Sequence, residues 1–185
     1  MPSVIFSHTK TKEKKYLEQL LKEKEWFRRK KFSVFLPSSR TDIKQEILRK
    51  NELLKQKITQ LQKTWRKIEK NYFDIVRTFH YKKLLPKYIC HISYFGPEGK
   101  YCRPNLLFVR LRTKLDEKRV IETIGHELLH LLFADFFETK KLNYSEREGM
   151  VDALILQSDL SSLFPQYQKQ SIGKLRPKLL KSILM

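Results

Sequence analysis

Glycine is scarce in this chain: there are 5, and the first is Gly96. Proline is absent between Pro37 and Pro86. The first half therefore lacks the main helix breakers and is expected to be largely helical. Cysteine is limited to Cys90 and Cys102, which flank an expected hairpin. They could pair across it, but an intracellular setting favours free thiols, and they have no partner set for a structural zinc site. No run of 18 apolar residues occurs, which excludes a membrane-spanning helix on hydropathy. The opening MPSVIFSHTKTKEKK has too short an apolar stretch for a signal peptide, and charge follows it, so a cytoplasmic location is expected. Acidic residues are outnumbered, 20 against 39 Lys and Arg, for a net charge of +19. That balance admits nucleic acid as a partner, but the basic segments carry no recognisable reading motif, and lysines spaced along helices are usually solvated faces.

What is present is concentrated between Ile121 and Asp152. His126, Glu127 and His130 form H-E-x-x-H. Residues four apart share one face of a helix, so both imidazoles can reach one ion, and neutral imidazole is a good zinc ligand. Glu127 follows the first ligand directly, where its carboxylate can take a proton from a water at the ion's open position and later hand it on. It is the only charged residue in 123–133, an apolar run in which an unpaired carboxylate would be costly.

A catalytic zinc usually has three protein ligands and a water. No histidine follows His130, so H-E-x-x-H-x-x-G-x-x-H is excluded. Glu148 is the preferred third ligand, because Asp152 lies one turn on and can accept the free ring N–H of a ligand histidine, fixing its tautomer. Glu146 is the competing ligand but has no carboxylate at i+4. Ser145 with Glu148 matches a capping box; with Glu148 on the metal, Ser145 is expected to cap alone. Gly125 and Gly149, beside ligands, are expected to let the two helices and the ion approach closely.

HELLH at 126–130 followed by EGMVD at 148–152 resembles the gluzincin metallopeptidases. The short span between the motifs and the small chain are most similar to the minigluzincins, over roughly residues 70–160. The resemblance implies zinc on His126, His130 and Glu148, Glu127 as general base and acid, Asp152 behind a ligand, and hydrolysis of peptide or protein substrates. It also implies an edge strand that pairs with substrate backbone, for which residues 100–112 are the candidate. The downstream histidine of thermolysin-like enzymes is missing; Tyr101, Tyr144 and Tyr167 are the candidates for steadying the oxyanion.

The expected architecture is α+β: a zincin-like domain over 71–185 with a small sheet and an active-site helix, preceded by a helical region over 1–70. The first helix is expected over Thr9–Arg29, with Tyr16, Leu20, Leu21 and Trp26 as apolar positions. Phe32–Leu36 reads as a short strand or connector, and Pro37–Thr41 as a loop. A long helix is expected from Asp42, capped by Thr41 or Asp42, its apolar stripe running from Leu54 through Ile58, Leu61, Trp65, Ile68, Tyr72 and Ile75 to Phe79. Its first half is expected to pack on the first helix and its aromatic second half to back the catalytic unit. Strands are expected over Tyr88–Phe95 and Lys100–Arg112, the latter interrupted by Pro104, with His91 a strand-face residue rather than a ligand. Asp116 is expected to cap the active helix. The basic, amphipathic tail QSIGKLRPKLLKSILM reads as a packing helix or, by the minigluzincin resemblance, as a segment that covers the cleft and keeps the enzyme latent. The alternative function is a zinc-containing, basic nucleic-acid-associated or regulatory binding protein.

Overall fold

The computed structural model describes residues 1–29, 32–36, 51–111, 117–170 and 172–185, with backbone alone for 51–53. The elements run β1 (Ser3–Ser7), α1 (Lys10–Lys22), α2 (Lys24–Arg29), α3 (Asn51–Thr78), β2 (Lys87–Ser93), β3 (Gly99–Cys102), β4 (Leu106–Arg110), α4 (Glu117–Leu132), α5 (Ala134–Thr139), α6 (Tyr144–Leu156), α7 (Leu160–Leu163) and α8 (Pro177–Leu184). The fold is mixed α+β. The expected loop over Pro37–Thr41, the cap at Thr41 or Asp42, the cap at Asp116 and the strand end at Arg112 lie outside the described residues.

The sheet has the order β1-β2-β4-β3, with β1, β2 and β4 parallel and β3 antiparallel at one edge. Its other edge, β1, is not among the strands expected from the sequence. The apolar Val4 and Phe6 of the opening residues are buried there, alternating with the exposed Ile5. A parallel partner needs a long crossover, which α1 to α3 provide. The expected strand over 100–112 is split by a turn at 103–105, where Pro104 follows a cis bond. This makes β3 the free edge and puts β4 in the interior. Cys90 on β2 and Cys102 on β3 are separated by β4, and both thiols are free.

Alternation along the strands gives the sheet two buried faces. On one, Tyr88, Cys90, Ile92, Leu107 and Val109 are buried, and Phe73 of α3 stacks on Tyr88. On the other, α1 lies across His91, Ser93 and Phe108. Tyr16 stacks on Phe108 with ring centroids 4.2 Å apart. Buried Glu13 accepts hydrogen bonds from His91 Nε2 (2.8 Å) and Ser93 Oγ (2.7 Å). His91 is thus held from the strand face by a carboxylate within a lysine-rich helix. His8, Glu13 and His91 lie close enough to share an ion, but Glu13 already takes these two bonds, and His8 Nδ1 donates to the Ile92 carbonyl.

The first helix breaks at Glu23 into α1 and α2, which turns Phe27 inward and leaves Trp26 exposed. Residues 32–36 form no strand; only Phe35 bridges to Gly96. The described part of the long helix buries Leu54, Leu61, Trp65, Tyr72, Phe73 and Val76. It packs on β1 and on α4, where the Tyr72 hydroxyl donates to the Gly125 carbonyl at 2.8 Å; much of the half expected to lie on the first helix falls outside the described residues. One hydrophobic core runs from Val4 to Ile183, and the boundary expected between 70 and 71 falls inside α3.

Two side chains of α3 close the open edge of β1. Gln62 accepts from Phe6 N and donates to the Val4 carbonyl, while Glu69 Oε1 accepts from both Val4 N (2.7 Å) and the indole of Trp65 (2.9 Å). Replacing Glu69 by Ala would leave two donors unpaired, one on the fully buried Trp65. The expected loss in urea unfolding is about 1–3 kcal/mol, with metal content unchanged; a change within about 0.5 kcal/mol would remove Glu69 from this role.

Candidate metal centre and active site

Helix α4 is buried over most of its length, from Val120 to Leu132 apart from Thr123. It carries its polar groups toward α6 and β3. His126 Nε2 lies 3.0 Å from His130 Nε2 and 3.1 Å from Glu148 Oε2, and His130 Nε2 lies 3.3 Å from Glu148 Oε1. The three side chains are 4 %, 2 % and 4 % exposed. They could hold a metal ion, and two imidazole nitrogens with one carboxylate oxygen is a donor set that zinc takes. The donor atoms fit such an ion for a further reason: both ring nitrogens and both carboxylate oxygens already turn toward a single point. Burial opposes ionisation of Glu148, but the His126 and His130 rings beside it outweigh burial and hold its carboxyl well below the usual range.

The helix cap places Glu148 and Glu146 differently. Asn143, not Ser145, caps α6: its side chain accepts from Glu146 N, and Glu146 Oε2 accepts from Asn143 N in return. Glu146 Oε1 takes the Arg176 guanidinium at 2.6 Å. Glu146 is thereby occupied, Ser145 Oγ is buried without a partner, and Glu148 faces the histidines.

Asp152 reaches His126 through an intermediary. Its Oδ1 is 3.9 Å from His126 Nδ1, with the Tyr167 hydroxyl between them, 2.6 Å from each. The hydroxyl's one proton goes to Asp152, so its oxygen accepts from Nδ1–H, which leaves Nε2 of His126 with its lone pair toward Glu148 and His130. The expected direct acceptance by Asp152 is corrected to a relay. Burial raises the pKa of Asp152, against the Tyr167 hydroxyl and the Gln170 N–H. His130 is held by packing: its ring lies flat on Tyr101, centroids 5.0 Å apart, and Nδ1 has no partner.

Glu127 is buried and meets the edge strand at Gly99, where a Cβ would collide with its carboxylate. Burial pushes its pKa up to about 7; neighbouring Glu148 adds to this, and His126 works against it. The cleft above holds about 860 Å³. Tyr101 and Tyr144 line it, and the pKa of each phenol is raised, by desolvation first and at Tyr144 also by the neighbouring Glu148. Tyr167, committed to His126 and Asp152, is removed from the three oxyanion candidates.

The glycines beside the ligands have another role than the one expected. A Cβ on Gly125 would meet the Phe164 ring, and one on Gly149 would meet the backbone of Lys174. They admit the C-terminal segment rather than a closer helix pair. That segment crosses the site: Gln170 N donates to Asp152 Oδ2, Lys174 N donates to the Ser145 carbonyl, and the Gln170 amide lies 3.3 Å from His126 Nε2. Gln170 carried no signal in the sequence, since it sits in a polar run without periodicity.

No family model, no curated protein and no solved structure matches this chain.

Two outcomes are expected. Tyr167→Phe removes the hydroxyl that orients His126, so zinc affinity measured against a competing chelator should fall about 10–100-fold. Unchanged affinity would show that the relay is idle. For Glu127 the folded-state pKa is raised, from 4.5 to about 7. The folded state thus holds a proton that the unfolded state has lost, and stability falls as pH rises across that window, then stays lower. With chelator present, Glu127→Gln should therefore be more stable than the parent at pH 8, on the order of 2–3 kcal/mol, and equal to it near pH 4. Parallel stability–pH curves would exclude a buried, strained Glu127.

Proposed function

We propose that this chain is a zinc-dependent metallopeptidase of zincin-like fold. The observation that carries the reading is the meeting of His126, His130 and Glu148 at the base of a cleft beside Glu127 and an antiparallel edge strand. Zinc held by these three side chains would polarise a scissile carbonyl and lower the pKa of a water toward about 7.

The chain's own residues do the rest. β3 offers free edge hydrogen bonds to an extended peptide, which binds backbone with loose sequence preference. Its Gly99 brings that edge against Glu127 without a side chain in between. Glu127, with a pKa of about 7, is poised between its two protonation states at neutral pH. It takes the proton of the attacking water and returns it to the leaving amine. Asp152, through Tyr167, keeps His126 in the tautomer whose Nε2 is free. Tyr144, which hydrogen-bonds Glu148, and Tyr101, which hydrogen-bonds Arg147, are the phenols that line the cleft and could turn to the oxyanion. The Gln170 amide, which donates to that same Nε2, supports a latent state in which the C-terminal segment competes for the site.

Glu127→Gln should lower peptide turnover by about 10²–10⁴-fold while stoichiometric zinc is retained, as measured by elemental analysis beside a peptidase assay. Turnover at the parent's level would overturn the mechanism. Gln170→Ala should raise turnover severalfold. This variant tests latency better than trimming after Phe164, which would also remove Tyr167.

A further inference from the structure

The cleft has an aromatic wall of which the metallopeptidase machinery above uses only Tyr144. Trp26 of α2 stacks on Phe32 with ring centroids 5.4 Å apart and planes at 20°. Phe27 meets Phe32 edge-on at 6.4 Å, and Phe32 meets Tyr144 edge-on at 5.5 Å. All four rings line the same cavity as His126, Glu127 and Glu148. Tyr144 joins the wall to the metal centre, since Glu148 is four residues later on the same face of α6.

We propose that Trp26, Phe32 and Tyr144 form a side-chain subsite that selects peptides with an aromatic or large aliphatic residue beside the cleaved bond. This rests on the metallopeptidase reading above. Three observations carry it. Trp26 is 45 % exposed and Tyr144 50 %, whereas the chain's other tryptophan, Trp65, is fully buried. Large aromatic surface left open within a concave site is what an apolar ligand group covers. Two cations at the rim are paired, Lys100 with Glu23 at 3.0 Å and Arg119 with Glu98 at 3.6 Å, so neither is left open to an acidic side chain. Finally, Glu23 of the α1–α2 break holds Lys100 on β3, which ties the wall to the strand that would carry the substrate backbone.

The test uses the zinc-loaded full chain and two blocked dipeptide hydroxamates that differ only in carrying Phe or Gly. Calorimetry should give the Phe probe about 10- to 100-fold tighter binding, and it alone should blue-shift the emission of Trp26, the exposed one of the two tryptophans. Trp26→Ala and Phe32→Ala should bring the Phe probe to within about threefold of the Gly probe while leaving the Gly probe unchanged; Trp26→Phe should keep the preference. Equal binding of both probes by the parent, with zinc bound, overturns the subsite and leaves the metal reading standing. Failure of both probes to bind the parent and also Gln170→Ala, each with zinc bound, overturns the metallopeptidase reading and the subsite with it.

Discussion

Burying three carboxylates and two imidazoles between apolar helices is the constraint on which the rest of this structure depends. Glu127, Glu148 and Asp152 are each at most 8 % exposed. Charge taken out of water must be paired or shared, or the helices carrying it will not pack. Each group here has its own arrangement. Glu148 lies between two rings; Asp152 receives a phenol and a backbone N–H; Glu127 remains the least compensated, and burial pushes its pKa up to about 7. The least stabilised group is also the one the proposed chemistry needs to exchange a proton, a local loss of stability accepted for function.

The elements around the helix pair serve to hold that arrangement. Tyr72 ties α3 to the carbonyl just before His126, and Tyr101 lies flat on His130 from the edge strand. Phe164 fills the space at Gly125, and the Lys174 backbone that at Gly149. The C-terminal segment is therefore part of the site's support as well as its cover. The N-terminal residues belong to the same body: β1 completes the sheet, α1 covers its second face through Tyr16 and Glu13, and α2 adds an aromatic wall to the cleft.

The charge imbalance has a similar logic. Of the 20 acidic residues, Glu13, Glu122, Glu127, Glu148 and Asp152 are buried, while Lys12, Lys14, Lys15, Lys63, Arg66, Lys67 and Lys70 stand exposed on α1 and α3. Among the described residues five acids but one base, Arg110, are buried, so the described surface is more basic than the composition alone states.

The H-E-x-x-H helix and its ligand face were legible in the sequence because a helix fixes which residues share a side within two turns. The same rule placed Glu148 and Asp152 together, and the stripe of α3 from Leu54 to Phe79. Local patterning also marked the strand around His91. What it could not supply was anything joining residues far apart in the chain. The strand at Ser3–Ser7 is too short to be read without the β2 partner that pairs with it. The capping of α6 by Asn143 rather than Ser145, which freed Glu148, shows once the helix start is fixed in space. Tyr167 between His126 and Asp152, Gln170 at His126 Nε2, and Trp26 in the cleft wall come from segments with no sequence periodicity toward the site. The sequence by itself determined the candidate donors and the helices that carry them, because those depend on spacing within each element. The tertiary structure alone decided which groups orient, cover and border the donors, because those contacts follow from the packing of elements whose separation along the chain leaves no trace in local pattern.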